Sequence, residues 1–201
     1  MASGNKRERA SEKSKSRIIQ KTIQLLVKKG GTASVSTTEI CAAAKLTRPT
    51  LYHYFGSKRS LLLAVHKKTM ERDLKPYFAE ALSISDPFER LTFMIRTYAR
   101  AIGLHPELRV LIHDTLAKKD KYFREVRQEW KEHYMLLRET IGELRSGGRI
   151  ESDIRPSWGA LFVLGMLTWA TYWFDYGRKE GIDQIAESAL RFVLGGLKFK
   201  E

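Results

Sequence analysis

A single cysteine, Cys41, occurs in 201 residues. That excludes an intrachain disulfide and every zinc site built on paired cysteines. Cys41 stands beside Ala42 and Ala43 and reads as a small core residue. Catalytic signatures are also missing. The chain has no Gly-x-Ser-x-Gly, no phosphate-binding Gly-x-x-x-x-Gly-Lys and no Gly-x-Gly-x-x-Gly. The five histidines, His53, His66, His105, His113 and His133, contain no i, i+4 pair. None has a carboxylate partner at metal-ligand spacing, and His66, His113 and His133 read as core or pocket polar residues. No enzyme, no metal and no cofactor is expected. Long apolar runs are scarce too. The uncharged stretch Trp158 to Phe174 is 17 residues long and contains Gly159, Gly165, Thr168 and Thr171. A span needs about 20 apolar residues, so no membrane segment is expected. The basic N-terminus MASGNKRERASEKSKSR leads into no apolar stretch, so it does not read as a signal peptide. A cytoplasmic protein is expected.

What the chain does have is uneven positive charge. Residues 1–60 hold 13 Lys and Arg against 3 acidic residues, leaving 23 of the 36 basic and 20 of the 23 acidic residues for the remainder. Most of the formal net charge of +13 therefore sits in the first third. Such a footprint suits a phosphate backbone. A hydrophobic content of 43% supports a real core.

Residues 36 to 58, STTEICAAAKLTRPTLYHYFGSK, lie within this basic region. Ser36 followed three residues later by Glu39 is a capping box. Thr47 is a natural N-cap, and Pro49 falls in a first turn, where its missing N–H does no harm. Ile40, Ala43 and Ala44 give one short helix an apolar face; Leu46, Leu51 and Phe55 give a second. Two such helices a tight turn apart form a helix-turn-helix, whose second helix enters the major groove of DNA. Arg48 can reach guanine O6 and N7 with two hydrogen bonds, although a phosphate or solvent contact is an equal alternative. Thr37 and Thr38 open the first helix at the positive end of its dipole, suited to phosphate. Pro49, Thr50, Tyr52 and His53 complete the outward set.

Arg17-Ile18-Ile19, Leu25, Gly30, Ser36, Ile40, Ala44, Thr47, Thr50-Leu51-Tyr52-x-Tyr54-Phe55, Ser57-Lys58 and Leu61-Leu62 together resemble the DNA-binding domain of TetR-type transcriptional repressors. The resemblance covers residues 14 to 65. It implies DNA contacts from Thr38, Thr47, Arg48, Thr50, Tyr52, His53 and Lys58. The sequence departs from the family pattern in four places. The connection from Gly30 to Ile40 is one residue longer, Lys45 stands where the family has a turn glycine, Pro49 replaces a small residue, and Arg59 replaces a glutamate. A φ > 0 at Lys45 would cost roughly 1 kcal/mol.

Apolar residues recur at i, i+3, i+4 and i+7 along the remainder, and period-two alternation is rare. The expectation is an all-α chain of about nine helices. Residues 1–13 read as a flexible basic arm, 14–75 as the helix-turn-helix domain, and 76–201 as a ligand-binding and dimerisation domain, with Pro76 as the boundary. The helix from Pro156 is apolar on nearly all sides, which calls for burial on all sides. With the last helix, from about Ile182, it is expected to form an isologous four-helix interface through Phe162, Val163, Met166, Ala189, Val193 and Leu197. The resemblance implies the same homodimer. A plain monomer core stays open as the alternative.

Aromatic residues on inward stripes, Phe93, Tyr98, Trp130, Tyr134, Trp169, Tyr172 and Trp173, are candidates for an effector pocket. Tyr98, Trp130, Tyr134 and Trp169 are expected to wall one cavity. Residues 165–186, GMLTWATYWFDYGRKEGIDQIA, are loosely similar to a pattern in TetR-type regulators that respond to acyl-CoA thioesters. That similarity implies an acyl-CoA or another lipophilic acid, with Arg96, Arg100, Arg109, Lys118 and Lys119 as candidates for its phosphates. The expected function is a ligand-responsive repressor that binds a palindromic double-stranded DNA operator as a homodimer. An architectural DNA-binding dimer without an effector is the alternative.

Overall fold

A computed structural model describes residues 2–117, 124–151, 153–175 and 181–200. Among them are ten α-helices: α1 (Ala2–Lys29), α2 (Thr37–Ala44), α3 (Arg48–Phe55), α4 (Lys58–Thr69), α5 (Lys75–Ser83), α6 (Pro87–Leu104), α7 (Pro106–Ala117), α8 (Arg124–Ser146), α9 (Pro156–Trp173) and α10 (Ile182–Gly196). A π-helical turn, Met70–Leu74, precedes α5, and one isolated antiparallel bridge joins Ile150 to Phe199.

Helix α1 takes in residues 2–13, read from sequence as a flexible arm. The stretch has no proline, is rich in Lys, Arg, Glu and Ala, and is tied to the next turn by an i, i+3 pair from Lys15 to Glu12 at 2.9 Å. Such residues are good helix formers, and they extend a helix already nucleated by the packed residues from Ile18 onward. Helix α5 is the one the sequence reading missed. Pro76 lies in its first turn, where proline is tolerated, and so begins a helix instead of ending one.

The chain divides into two compact units, one of Met1–Thr69 with Val110–Phe123 and one of Met70–Arg109 with Arg124–Glu201. The division thus falls before Pro76, and α7 from Val110 onward belongs to the first unit. The reason is burial: Val110 and Leu111 complete a core made by Ile18, Leu26, Ile40, Leu51, Leu61 and Val65. In that unit α1 packs on α2 and α4, and α3 packs between α2 and α4.

In the second unit α6 is central, packing on α5, α8, α9 and α10. Its inward stripe of Leu91, Met94, Ile95 and Ile102 is no more than 2% exposed, and each such side chain contributes roughly 2 kcal/mol of burial. Gly103 lets α10 come close, because a Cβ there would lie 3.0 Å from the Ile182 side chain. Arg96 with Glu187 and Arg100 with Asp183 also join α6 to α10, but exposed pairs add little beside the apolar contact. Among the described residues no helix is long and apolar enough to cross a membrane.

Candidate nucleic-acid interface and effector region

Ser36 caps α2: its hydroxyl accepts from the Glu39 N–H at 3.2 Å, and the Ser36 N–H donates to the Glu39 carboxylate at 3.0 Å. Lys29 also donates to Glu39. That bond, with the Ser36 backbone and hydroxyl donors, holds the carboxyl down near 2. The α2–α3 turn is closed by Lys45 in the left-handed region, φ 52°, with its N–H on the Ala42 carbonyl at 3.2 Å. The Leu46 N–H bonds the Cys41 carbonyl at 3.0 Å. Thr47 caps α3, accepting from the Thr50 N–H at 3.4 Å, and its hydroxyl lies 2.8 Å from that of Thr50.

This local geometry sorts the recognition helix into two faces. Leu51 is buried, and Tyr54 and Phe55 pack against the core. Thr38, Thr47, Arg48, Pro49, Thr50, Tyr52 and His53 are exposed, and Thr37 is half-buried. The exposed set thus carries hydroxyls and a guanidinium around the N-terminal ends of α2 and α3, and a phenol and an imidazole further along α3. Arg48 does not hang free, since its Nη2 donates to the Thr38 hydroxyl. Lys58 differs from the rest. It is half-buried, and its Nζ donates to the Thr32 carbonyl at 2.9 Å, tying down the loop before α2.

In the second unit the predicted aromatic group comes together only in part. Tyr98 is 4% exposed, and its ring lies 6.3 Å from that of Trp130 and 4.9 Å from that of His133. Phe93 stacks on Tyr77 at 5.8 Å. The Tyr77 hydroxyl lies 2.8 Å from His133 Nε2, and Phe78 sets its ring against the same imidazole at 5.7 Å. Tyr134 is half-buried on α8. Burial pushes the Tyr98 phenol up to about 12, raises Tyr77 well above its usual value, and pulls His133 down to about 4. The sequence reading missed Tyr77 and Phe78, because they follow Pro76 in a segment assigned to no helix.

The expected wall at Trp169 is not part of this group. Gly159, Ala160, Val163, Leu167, Ala170 and Thr171 form the inward face of α9. The helical period therefore turns Trp169, Tyr172 and Trp173 outward, at 62%, 53% and 58% exposure. Trp158, Leu161 and Phe162 share that outward side, and Phe192 of α10 is 73% exposed. Of the six expected dimer residues, Phe162 is exposed, and Met166 and Ala189 are half-buried. Val163, Val193 and Leu197 are buried within this chain, because Val163 and Val193 fall on the inward periods of α9 and α10 and Leu197 caps the end of α10. Grooves of about 550 Å³ and 160 Å³ run between α9 and α10, with Phe192 and Met166 on both. A groove of about 400 Å³ between α5 and α8 is lined by apolar Phe78, Leu82, Met135 and Leu136, and by Glu129, Glu132 and Glu139 against the cation Lys75. Acidic side chains there are poor company for phosphates. The candidate phosphate ligands Arg96 and Arg100 are engaged by Glu187 and Asp183. Lys118 and Lys119 lie outside the described residues, as does the side chain of Arg109.

A basic helix-turn-helix unit joined to a larger all-helical unit with an aromatic interior is the architecture of a helix-turn-helix transcriptional regulator. The chain belongs to the TetR family: residues 18–65 match the profile of bacterial regulatory proteins of the tetR family, and residues 85–197 match that of the tetracyclin repressor-like C-terminal domain. It is 31% identical over 99 residues to the transcriptional repressor KstR of Mycolicibacterium smegmatis, covering 49% of this chain and 48% of that protein. To the repressor KstR2 of Rhodococcus jostii it is 24% identical over 175 residues, covering 83% of each. The chain spans about half the length of KstR that it matches. The fold resembles that of AibR in complex with isovaleryl coenzyme A and operator DNA, with a TM-score of 0.82, 23% identity, and 93% and 100% of the two chains covered. It also resembles a FadR of Bacillus subtilis in complex with stearoyl-CoA, with a TM-score of 0.72, 16% identity, and 90% and 98% covered. At these identities the structural likeness concerns the fold.

Proposed function

We propose that this chain is a ligand-responsive repressor. It binds a palindromic operator as a homodimer and releases it when a lipophilic effector, an acyl-CoA, occupies the second unit. The observation that carries the reading is the exposed edge of Thr38, Thr47, Arg48, Thr50, Tyr52 and His53 on a well-capped helix pair. Those side chains offer donors and acceptors to base edges and phosphates, with Thr38, Thr47, Arg48 and Thr50 at the positive ends of two helix dipoles and Tyr52 and His53 further along α3. The outward apolar side of α9 with Phe192 supports a dimer, since seven large apolar side chains more than half exposed on two neighbouring helices mark an association site. Two recognition helices about 34 Å apart would then meet successive major grooves. KstR and KstR2 support the repressor, and the CoA complexes of AibR and FadR support the effector class. The effector acts only by preferring a state with the wrong helix separation.

Fluorescence anisotropy on DNA selected in vitro by the protein tests both halves. The reading expects an inverted repeat bound by two chains and dissociation on adding short branched, medium or long acyl-CoAs. A selected site without symmetry would remove the dimeric operator. DNA affinity unmoved by every acyl-CoA would remove the effector class.

A further inference from the structure

Four buried side-chain polar atoms lack a hydrogen-bond partner among the described residues: the hydroxyls of Thr69 and Thr92, Trp130 Nε1 and His133 Nδ1. Two of the four lie one turn apart on α8, so they share a face of that helix. An orphaned buried polar group costs stability, and a pair of them in one aromatic cluster calls for an explanation.

The protons on these atoms can be counted. Trp130 Nε1 is an N–H and can only donate. His133 is 1% exposed and stays neutral at physiological pH, because burial holds its pKa at about 4. A neutral imidazole has one donor nitrogen and one acceptor nitrogen. Its Nε2 faces the Tyr77 hydroxyl at 2.8 Å, and burial keeps that phenol protonated. If Nε2 carried the hydrogen, the Tyr77 O–H would have no acceptor and Nδ1 would be a bare acceptor. If Tyr77 donates to Nε2, only Nδ1–H is left over. The second tautomer leaves fewer groups unsatisfied, and it turns both orphans on α8 into N–H donors.

We infer that Trp130 Nε1–H and His133 Nδ1–H form a two-donor site for a carbonyl-type acceptor oxygen on the effector. The inference rests on the reading that the second unit binds an effector, and it names the effector atom that is recognised. The surroundings suit such a group. Tyr98 and Phe78 supply apolar ring surface beside the imidazole. The Tyr98 hydroxyl is already placed 3.3 Å from that of Thr168. In an apolar setting two donors on one oxygen discriminate strongly against a ligand that lacks it, because both would stay unpaired. For an acyl-CoA the oxygen is the thioester carbonyl.

The test uses the full chain and matched probes: isovaleryl-, octanoyl- and stearoyl-CoA, each with its thioether analogue, in which the carbonyl becomes a methylene. Operator release is expected at about tenfold or more lower concentration for the thioester than for its thioether. Trp130→Phe should bring the two to within about threefold, because it keeps the ring and removes the donor. Equal potency of thioester and thioether in the parent protein would overturn the two-donor site and leave the acyl-CoA reading standing. Failure of every probe would overturn both. A measurement independent of ligand and of variant folding is the long-range 1H–15N spectrum of protein labelled at histidine. It should show His133 with hydrogen on Nδ1 and a bare Nε2, and the opposite tautomer would overturn the inference.

Discussion

Arg48 Nη2 donates to the Thr38 hydroxyl, so the side chain suited to reading a base is held by the helix before its own. Two consequences follow for binding. The guanidinium is kept near the DNA-facing edge before DNA arrives, which lowers the ordering cost. It must also exchange Thr38 for a base or phosphate.

Arg48→Ala is therefore expected to weaken binding to the selected operator by about 1–3 kcal/mol and to spare random-sequence DNA. Anisotropy titrations on both DNAs decide this. An equal loss on the two would make Arg48 a phosphate contact.

Lys58 lends itself to the opposite expectation. The TetR resemblance implies a DNA contact, but its ammonium is engaged with the Thr32 carbonyl at 2.9 Å and is half-buried. Lys58→Ala should lower the unfolding free energy by roughly 1 kcal/mol, through a lost bond and an orphaned carbonyl. The slope of log K against log salt should stay within a few tenths of the parent value, since no phosphate contact is lost. A slope flatter by about one unit would show that Lys58 leaves Thr32 for a phosphate.

The proposed dimer surface is separable from the core of the second unit by residue choice. Val163 is 5% exposed and Val193 6%, so a charge at either would wreck the protomer core. Phe162 and Phe192, at 63% and 73% exposure, stand on the outward side instead. Phe162→Glu and Phe192→Glu are expected to keep helical circular dichroism, sediment as monomers and lose operator affinity. Intact dimers from both variants would move the interface off this face.

Much of the first unit was legible because its signals are local. The Ser36–Glu39 capping box, the Thr47 cap and the Leu51 and Phe55 spacing each specify geometry within a few residues. Lys45 at φ 52° was legible as well, since the turn demands a left-handed residue whatever its identity. The second unit was less legible, because facing is decided by partners far along the chain. An all-round apolar α9 gives no phase of its own, so Trp169 and Val163 could be assigned to the wrong sides. Pro76 misled because a helix start and a helix stop look alike at a proline unless the preceding backbone is known. Tyr77 and His133 are 56 positions apart, and their hydrogen bond had no sequence signature.

His133 also makes the stability of the second unit pH-dependent, with a definite sign. Its folded-state pKa, about 4, lies below the usual 6.5 because burial penalises the charged form. Between those two values the unfolded chain binds a proton that the folded chain refuses, so stability falls as pH drops through this window. The full effect is on the order of 3–4 kcal/mol, since the drop from 6.5 to about 4 counts at about 1.4 kcal/mol per pH unit. It is complete near pH 4, below which both states are protonated and the loss levels off. Glu107, held down near 2 by bonds from His105 and Arg72 despite burial, loses its contribution at lower pH, from its usual 4.5 downward. The two windows therefore overlap only between about 4 and 4.5. Chemical denaturation at steps from pH 7.5 to 4.5 should show the decline in the parent chain. His133→Phe combined with Tyr77→Phe removes the titrating ring and the hydroxyl it would orphan, and should flatten most of that decline. An unchanged slope in the double variant would assign the acid sensitivity to other groups.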